Sequence, residues 1–190
     1  TDSGQRLLVY WPLTGMQKEG MSVPWSMHRN TCVCLRQNGS GTMQIRELRA
    51  EDVPAVARIE AEVFSEPWTE RDFLEMVKAD YAHYYVAEEA GEITGYCGLR
   101  NMAGEGEITN VAVAPLFRRK GTGRRLMEYL LKKAPSCGIG DCTLEVRAGN
   151  SPAISLYESL GFRTEGIRPG FYAKPREDAL IMWKRQEEQG

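Results

Sequence analysis

Apolar residues change their spacing repeatedly along this chain, and each change marks an element. From Met43 to Leu48, apolar and polar positions alternate, which predicts a strand. Residues 50–64 instead place Val56, Ile59 and Val63 on one helical face. Glu51 and Asp52 stand near the start of that helix, where its dipole favours acids, and Pro54 is tolerated in the first turn. Ser65-Glu66-Pro67-Trp68 breaks the period. A second helix is predicted over 69–79, with Thr69 as its N-cap and Phe73, Met76 and Val77 on one side. Strands follow at 83–90 and 93–101, flanking a hairpin turn at Gly91, and at 107–115 after a turn at 103–106. These three are predicted to run antiparallel.

A third helix is predicted at 121–134 and a strand at 141–148, where Cys142, Leu144 and Val146 alternate with Thr143, Glu145 and Arg147. Asn150 or Ser151 caps the next helix, Pro152 sits near its first position and Gly161 ends it. Ala153, Tyr157 and Leu160 lie close to one of its faces. Strands at 162–172 and 177–185 close the chain. The order β-α-α-β-β-β-α-β-α-β-β reads as α+β: one mixed, largely antiparallel sheet flanked by about four helices. Residues 1–42 sustain neither period and read as a poorly structured extension, 43–186 as the folded domain, and 187–190 as a polar tail.

Composition narrows the function. In 190 residues, 42% are hydrophobic and the formal net charge is -2. One domain with an ordinary core is expected, and a disordered chain is excluded. A slightly acidic total argues against a dedicated nucleic-acid binder. No run of 18 apolar residues occurs, so no membrane partner is expected, and the apolar run Leu7–Trp11 stops at Pro12, too short for a signal-peptide core. A cytoplasmic protein, monomeric or weakly dimeric, is the expectation. Of the five cysteines, Cys32 and Cys34 have no partner pair at metal-ligand spacing, and His28 and His83 complete no zinc pattern. Free thiols and no metal are expected, with Cys137 and Cys142 as packing residues.

Residues 118–125, RRKGTGRR, hold five cations and two glycines between a predicted strand and helix. A helix N-terminus has unpaired N–H groups and about half a positive charge, which together bind phosphate. Gly121 and Gly123 let backbone come close, and Arg119, Lys120 and Arg124 add charge. The spacing fits neither a P-loop nor the dinucleotide fingerprint, whose third glycine is replaced by Leu126. A pyrophosphate cradle and a plain solvated cationic turn both remain open.

VAVAPLFRRKGTGRRLMEYLL, residues 111–131, resembles the acetyl-coenzyme A motif of the GNAT acetyltransferases, Arg/Gln-x-x-Gly-x-Gly/Ala, here Arg118-Arg119-Lys120-Gly121-Thr122-Gly123. FSEPWTERDF, ITNVAVAP, LEVRAGNSPAISLYESLGF and GIRPGFYAKPREDALIM extend the resemblance across 43–184, toward the branch that acetylates the N-terminal alanine of a small-subunit ribosomal protein. The resemblance implies acetyl-coenzyme A as cosubstrate and a ribosomal protein N-terminus as acceptor. It implies pantetheine beside Val111, Ala112 and Val113, pyrophosphate on Arg118–Arg124 with Thr122 included, and a cofactor contact from Asn150. It implies Glu145 as general base and Tyr157 as the acid that protonates the departing thiolate. It also places Trp68 in the substrate-side connection between the first two helices. Read from the residues alone, Glu145 is first an ion-paired glutamate and Tyr157 a core aromatic, while Trp68 is equally a core anchor and Asn150 equally an N-cap. Phe171 stands where the family more often has tyrosine. A lysine, polyamine or small-molecule acceptor, or a non-catalytic coenzyme A-binding module, stays open beside the main reading.

Overall fold

The computed structural model describes residues 42–186, and within them seven strands form one sheet. The expected extension at 1–42, Thr42 aside, and the tail at 187–190 lie outside the described residues, as do Cys32, Cys34 and His28. The strands are β1 (Gln44–Glu47), β2 (Ala82–Glu89), β3 (Glu92–Met102), β4 (Glu105–Val113), β5 (Cys142–Arg147), β6 (Arg163–Ala173) and β7 (Arg176–Lys184). The helices are α1 (Val53–Val63), α2 (Glu70–Lys78), α3 (Thr122–Lys133) and α4 (Ser151–Ser159). Strand order is β1-β2-β3-β4-β5-β7-β6, and β4 with β5 is the parallel pair among antiparallel ones. The mixed α+β sheet predicted from the sequence is the fold observed.

Local chemistry explains most boundaries. α2 starts at Thr69, whose hydroxyl accepts from the Asp72 N–H while the Asp72 carboxylate accepts from the Thr69 N–H, a reciprocal cap. Asn150 does the same work at α4, accepting from the Ala153 N–H at 3.3 Å. The first predicted helix is divided: Ala50–Asp52 form a 3-10 turn, and α1 proper begins at Val53. Proline at the second helical position lacks an N–H that the helix start would leave unpaired anyway.

Two apolar layers hold the sheet. On one face, α1 and α2 bury Val53, Val56, Ile59 and Phe73 against Tyr84, Val86, Tyr96 and Ala112. On the other, Leu126, Met127 and Leu130 of α3 and Tyr157 of α4 pack on Cys97, Leu99, Ile108, Leu144, Val146 and Met182. Each fully buried large aliphatic side chain stabilises the fold by roughly 2 kcal/mol.

β4 passes from one layer to the other partway along. Gly98 pairs with Asn110 but Leu99 pairs with Ile108, so Thr109 is an extra residue, a β-bulge. Ile108, Val111 and Val113 therefore face α3, while Asn110 and Ala112 face α1.

Candidate active site

The site follows from what β4 and β5 do after that bulge. Their parallel pairing covers Gly106 to Ile108 opposite Cys142 to Leu144 and then stops. Thr109 and Glu145 are the first residues beyond the last pair. From there β4 continues on β3 and β5 continues on β7, so the two parallel strands part. Val111, Ala112 and Val113 thus lie on an edge of β4 that β5 no longer covers, where a bound amide chain can add hydrogen bonds of the kind a strand would.

The glycine turn lies at the end of the same strand. α3 starts at Gly121, which has φ +83 and gives no side-chain cap, unlike Thr69 and Asn150 at α2 and α4. Arg119 also has positive φ, at +62, a backbone region costly for a side-chain-bearing residue. The first N–H groups of α3 are left for a ligand, as an anion site requires.

Not every cation there is equally available. Arg118 Nε donates to the Val113 carbonyl at 3.1 Å, bracing the turn against β4. Arg124 donates to Ser159 Oγ at 2.7 Å, linking α3 to α4. Lys120 Nζ lies over the Phe117 ring at 5.0 Å. Thr122 is buried with its hydroxyl on the Phe117 carbonyl at 3.4 Å, which leaves its backbone N–H as its offer to a ligand. A Cβ at Gly121 would meet nothing within 4 Å, so its backbone angle demands glycine there; at Gly123 a Cβ would make only ordinary contacts, at 3.7 Å.

Glu145 is half-buried on β5. Arg168 of β6 reaches across β7 to bind it, Nη1 to Oε1 at 2.8 Å. Burial pushes the Glu145 carboxyl above its ordinary range; Arg168 pulls it down and Glu107 pushes it up again, with a net rise. The ion-paired reading and the base reading of Glu145 therefore both have a physical basis. Arg168 is itself held over the Phe171 ring at 5.0 Å, so Phe171 works as an aromatic surface that needs no hydroxyl.

Tyr157 is nearly buried against Phe162, with ring centroids 6.0 Å apart. Burial raises its hydroxyl pKa well above the usual range, and Tyr172 and Cys97 add in the same direction. It is a protonated donor at any physiological pH. Tyr172 ties the two halves of the site: its hydroxyl donates to the Glu145 carbonyl at 3.5 Å, and its ring stacks under Arg147 at 4.0 Å.

Sequence reasoning did not single out Arg168, Tyr172, Glu107 or Glu60 as site groups. Glu60 carried a signal as a carboxylate within the apolar stripe of α1, and Arg168 and Tyr172 lie in the GIRPGFY stretch that resembles the family. Trp68, expected at a substrate-side connection or as a core anchor, packs on Phe73 and Tyr84 with centroids 5.5 and 6.3 Å away. The thiols of Cys97 and Cys142 are buried, the latter pushed up to about 11 by desolvation, so neither is a ready nucleophile. Among the described residues no cluster of His, Cys, Asp or Glu could hold a metal. No helix there is long and apolar enough to cross a membrane. A groove of about 500 Å³ lies elsewhere, between α1, the β2–β3 turn and Pro115–Phe117; Glu145, Tyr157 and Asn150 do not line it.

The parted parallel pair lies beside a helix start without a side-chain cap, an arrangement that can take an anion at the helix end. Residues 53–162 match the acetyltransferase (GNAT) family, and the chain belongs to it, as an acetyl-coenzyme A-dependent N-acetyltransferase. It is 39% identical over 140 residues to a Bacillus subtilis protein named putative [ribosomal protein bS18]-alanine N-acetyltransferase, covering 73% of this chain and 93% of that one. It is 33% identical over 144 residues to the Mycobacterium tuberculosis N-alpha-acetyltransferase RimI, covering 73% and 89%. The crystal structure of the Escherichia coli ribosomal-protein-S18-alanine N-acetyltransferase superposes with a TM-score of 0.72 at 33% identity, over 78% of this chain and 97% of that one. A Salmonella typhimurium acetyltransferase, yncA, solved with acetyl-CoA, shares the fold at a TM-score of 0.71 and 24% identity, over 78% and 96%.

Proposed function

We propose that this chain acetylates the α-amine of the N-terminal alanine of ribosomal protein bS18, in the cytoplasm, by direct transfer from acetyl-coenzyme A. The observation that carries the reading is Glu145, a carboxylate with raised proton affinity placed where β4 and β5 part. The names of its relatives supply the acceptor.

Each step has a residue. The Val111–Val113 edge of β4 pairs with pantetheine, and a backbone N–H there polarises the thioester carbonyl. Gly121, Thr122 and Gly123 offer N–H groups to pyrophosphate, Arg119, Lys120 and Arg124 supply charge, Arg118 braces the turn, and Asn150 touches the cofactor from the start of α4. The amine nitrogen attacks the carbonyl carbon and its proton passes to Glu145, directly or through one water. The C–S bond breaks as the N–C bond is completed, and Tyr157 gives its proton to the thiolate. The buried thiols of Cys97 and Cys142 give no support to an acyl-cysteine route.

The acceptor class has a thermodynamic side. An α-amine with pKa ~8 is about one-tenth neutral at pH 7, whereas a lysine at ~10.4 is neutral about once in 2,500 molecules. A single glutamate base serves the former more easily.

Incubation with acetyl-coenzyme A and two peptides tests this. One has a free N-terminal alanine and no lysine; the other has a blocked N-terminus and one lysine. Mass spectrometry is expected to show one acetyl group on the first and none on the second. Acetylation of the lysine peptide alone would overturn the acceptor, and acetylation of neither would overturn the α-amine reading itself.

A further inference from the structure

α1 carries one residue at odds with its pattern. Val56, Ile59 and Val63 form its apolar stripe, yet Glu60 stands within it and is 1% exposed. A carboxylate buried that deeply is costly unless donors fill its oxygens. Three donors from three other parts of the chain do so. The Trp68 N–H, in the connection between α1 and α2, reaches Oε1 at 3.2 Å, Asn110 Nδ2 of β4 reaches Oε1 at 3.3 Å, and the Tyr96 hydroxyl of β3 donates to Oε2. The Asn110 Oδ1 is buried with no partner among the described residues. The bond Asn110 donates to Glu60 offsets part of the cost of burying its side chain.

A second route joins the same places. The Trp68 ring packs on Tyr84, whose hydroxyl shares a 2.7 Å hydrogen bond with Thr109 Oγ1. Both routes run from Trp68 to consecutive residues of the β4 bulge, where the site opens. Between them Ser65, Glu66 and Pro67 are exposed, so the connection has little else to fix it.

We propose that Glu60 is a positioning residue for the acceptor: by clamping the Trp68 amide to Asn110 it fixes the α1–α2 connection beside the bulge and so seats a peptide N-terminus against Glu145. The proposal rests on the acyl-transfer reading above. Without the clamp, the connection would be ordered only when the peptide binds, and that lost entropy would weaken acceptor binding. The cofactor edge at Val111–Val113, held from the opposite side of β4 by β3, would be unaffected.

Five variants of the full chain separate this from a merely structural role. Glu60→Ala and Asn110→Ala are each expected to raise the acceptor KM about tenfold, the scale of one buried hydrogen bond, with little change in the acetyl-coenzyme A KM or in kcat. The double variant should be no worse than either. Glu60→Gln should rescue, because its carbonyl can take both Oε1 donors while the Tyr96 hydroxyl turns to accept from its amide. Tyr96→Phe should lower stability but leave the acceptor KM within about twofold, since it cuts the tie to β3 alone. Amide hydrogen exchange over 64–69, read without substrate, should rise in Glu60→Ala and Asn110→Ala and not in Tyr96→Phe. An unchanged acceptor KM in folded Asn110→Ala, an equal rise in the cofactor KM, or unchanged exchange would overturn the proposal. If the native chain acetylates no alanine peptide, the proposed function falls, while hydrogen exchange still decides the clamp.

Discussion

Replacing Arg168 by methionine should raise the proton affinity of Glu145, and the structure sets the size. Burial is the largest influence on this carboxyl and pushes it up; Arg168 is the next and pulls it down; Glu107 pushes it up. Without Arg168 only upward influences remain. The pair is 2.8 Å long, but its side chains are 35% and 29% exposed, so solvent screens it. A pair of that exposure is worth at most about 1 kcal/mol. Carbon-detected NMR on glutamate-labelled protein reads the titration, and Glu145→Gln identifies the resonance. The native midpoint should lie above the ordinary value, and the Arg168→Met midpoint higher still.

The same shift has a stability signature of definite sign. A carboxyl whose proton affinity is raised by folding binds its proton more tightly folded than unfolded, so its ionisation costs stability. That cost is absent below the unfolded pKa, near 4.5, and grows as pH rises through the folded midpoint. Arg168→Met enlarges it. The variant should therefore lose about 1 kcal/mol more at pH 8 than at pH 4, by urea denaturation. Loss of stacking on Phe171 is independent of pH and cancels in that difference. A midpoint that stays put or falls, or an equal loss at both pH values, refutes the reasoning.

Tyr157→Phe keeps the ring on Phe162 and removes the proton, so kcat should fall roughly a hundredfold with the denaturation midpoint held; an unchanged kcat would remove Tyr157 from the chemistry. Gly98→Ala would place a Cβ 2.1 Å from Tyr84 Cε1, so the ring that carries the Thr109 bond must shift, and urea denaturation should show a loss of about 2 kcal/mol. Gly121→Ala, in open space at φ +83, should cost about 1 kcal/mol from backbone strain alone. Gly123→Ala should leave stability within about 1 kcal/mol of native, on the favourable side, yet weaken coenzyme A binding by calorimetry; unchanged binding would show that the cofactor does not approach that Cα.

Periodicity carried the elements well because each switch between period 2 and 3.6 is punctuated: Thr69, Gly91, Asn150 and Gly161 all stand at real boundaries. It carried the site less well. Glu145 reads as an ion-paired glutamate and Tyr157 as a core aromatic, and the structure shows those properties in both; what makes them candidates for chemistry is their place, which pattern does not encode. The Arg168–Glu145 pair was invisible because β7 lies between the two strands, so no spacing rule relates the partners. Glu60 was legible as an anomaly in a helical stripe but not as a hub, since its partners come from a connection and two strands.

One residue, Thr109, explains why the remainder could not be read. In strict alternation Ile108, Asn110 and Ala112 would share a face, and Thr109, Val111 and Val113 the other. The bulge breaks that rule once and gives β4 two tasks in succession. Before it, Gly106 to Ile108 pair with β5 and close the sheet; after it, Val111 and Val113 turn to α3 while Asn110 turns to Glu60. The same extra residue lies where β4 parts from β5, so the opening, the proposed cofactor edge and the proposed acceptor clamp all meet at one local irregularity. An isolated β-branched polar residue in an apolar strand is too common to announce this. Deleting Thr109 would be the most direct test: Asn110 would then follow Ile108 directly, so Ile108 stays toward α3 and Asn110 toward Glu60, while the bulge and the Tyr84 hydrogen bond are lost; transfer should fall sharply in a chain that still folds, and unchanged transfer would show that the bulge does not shape the site.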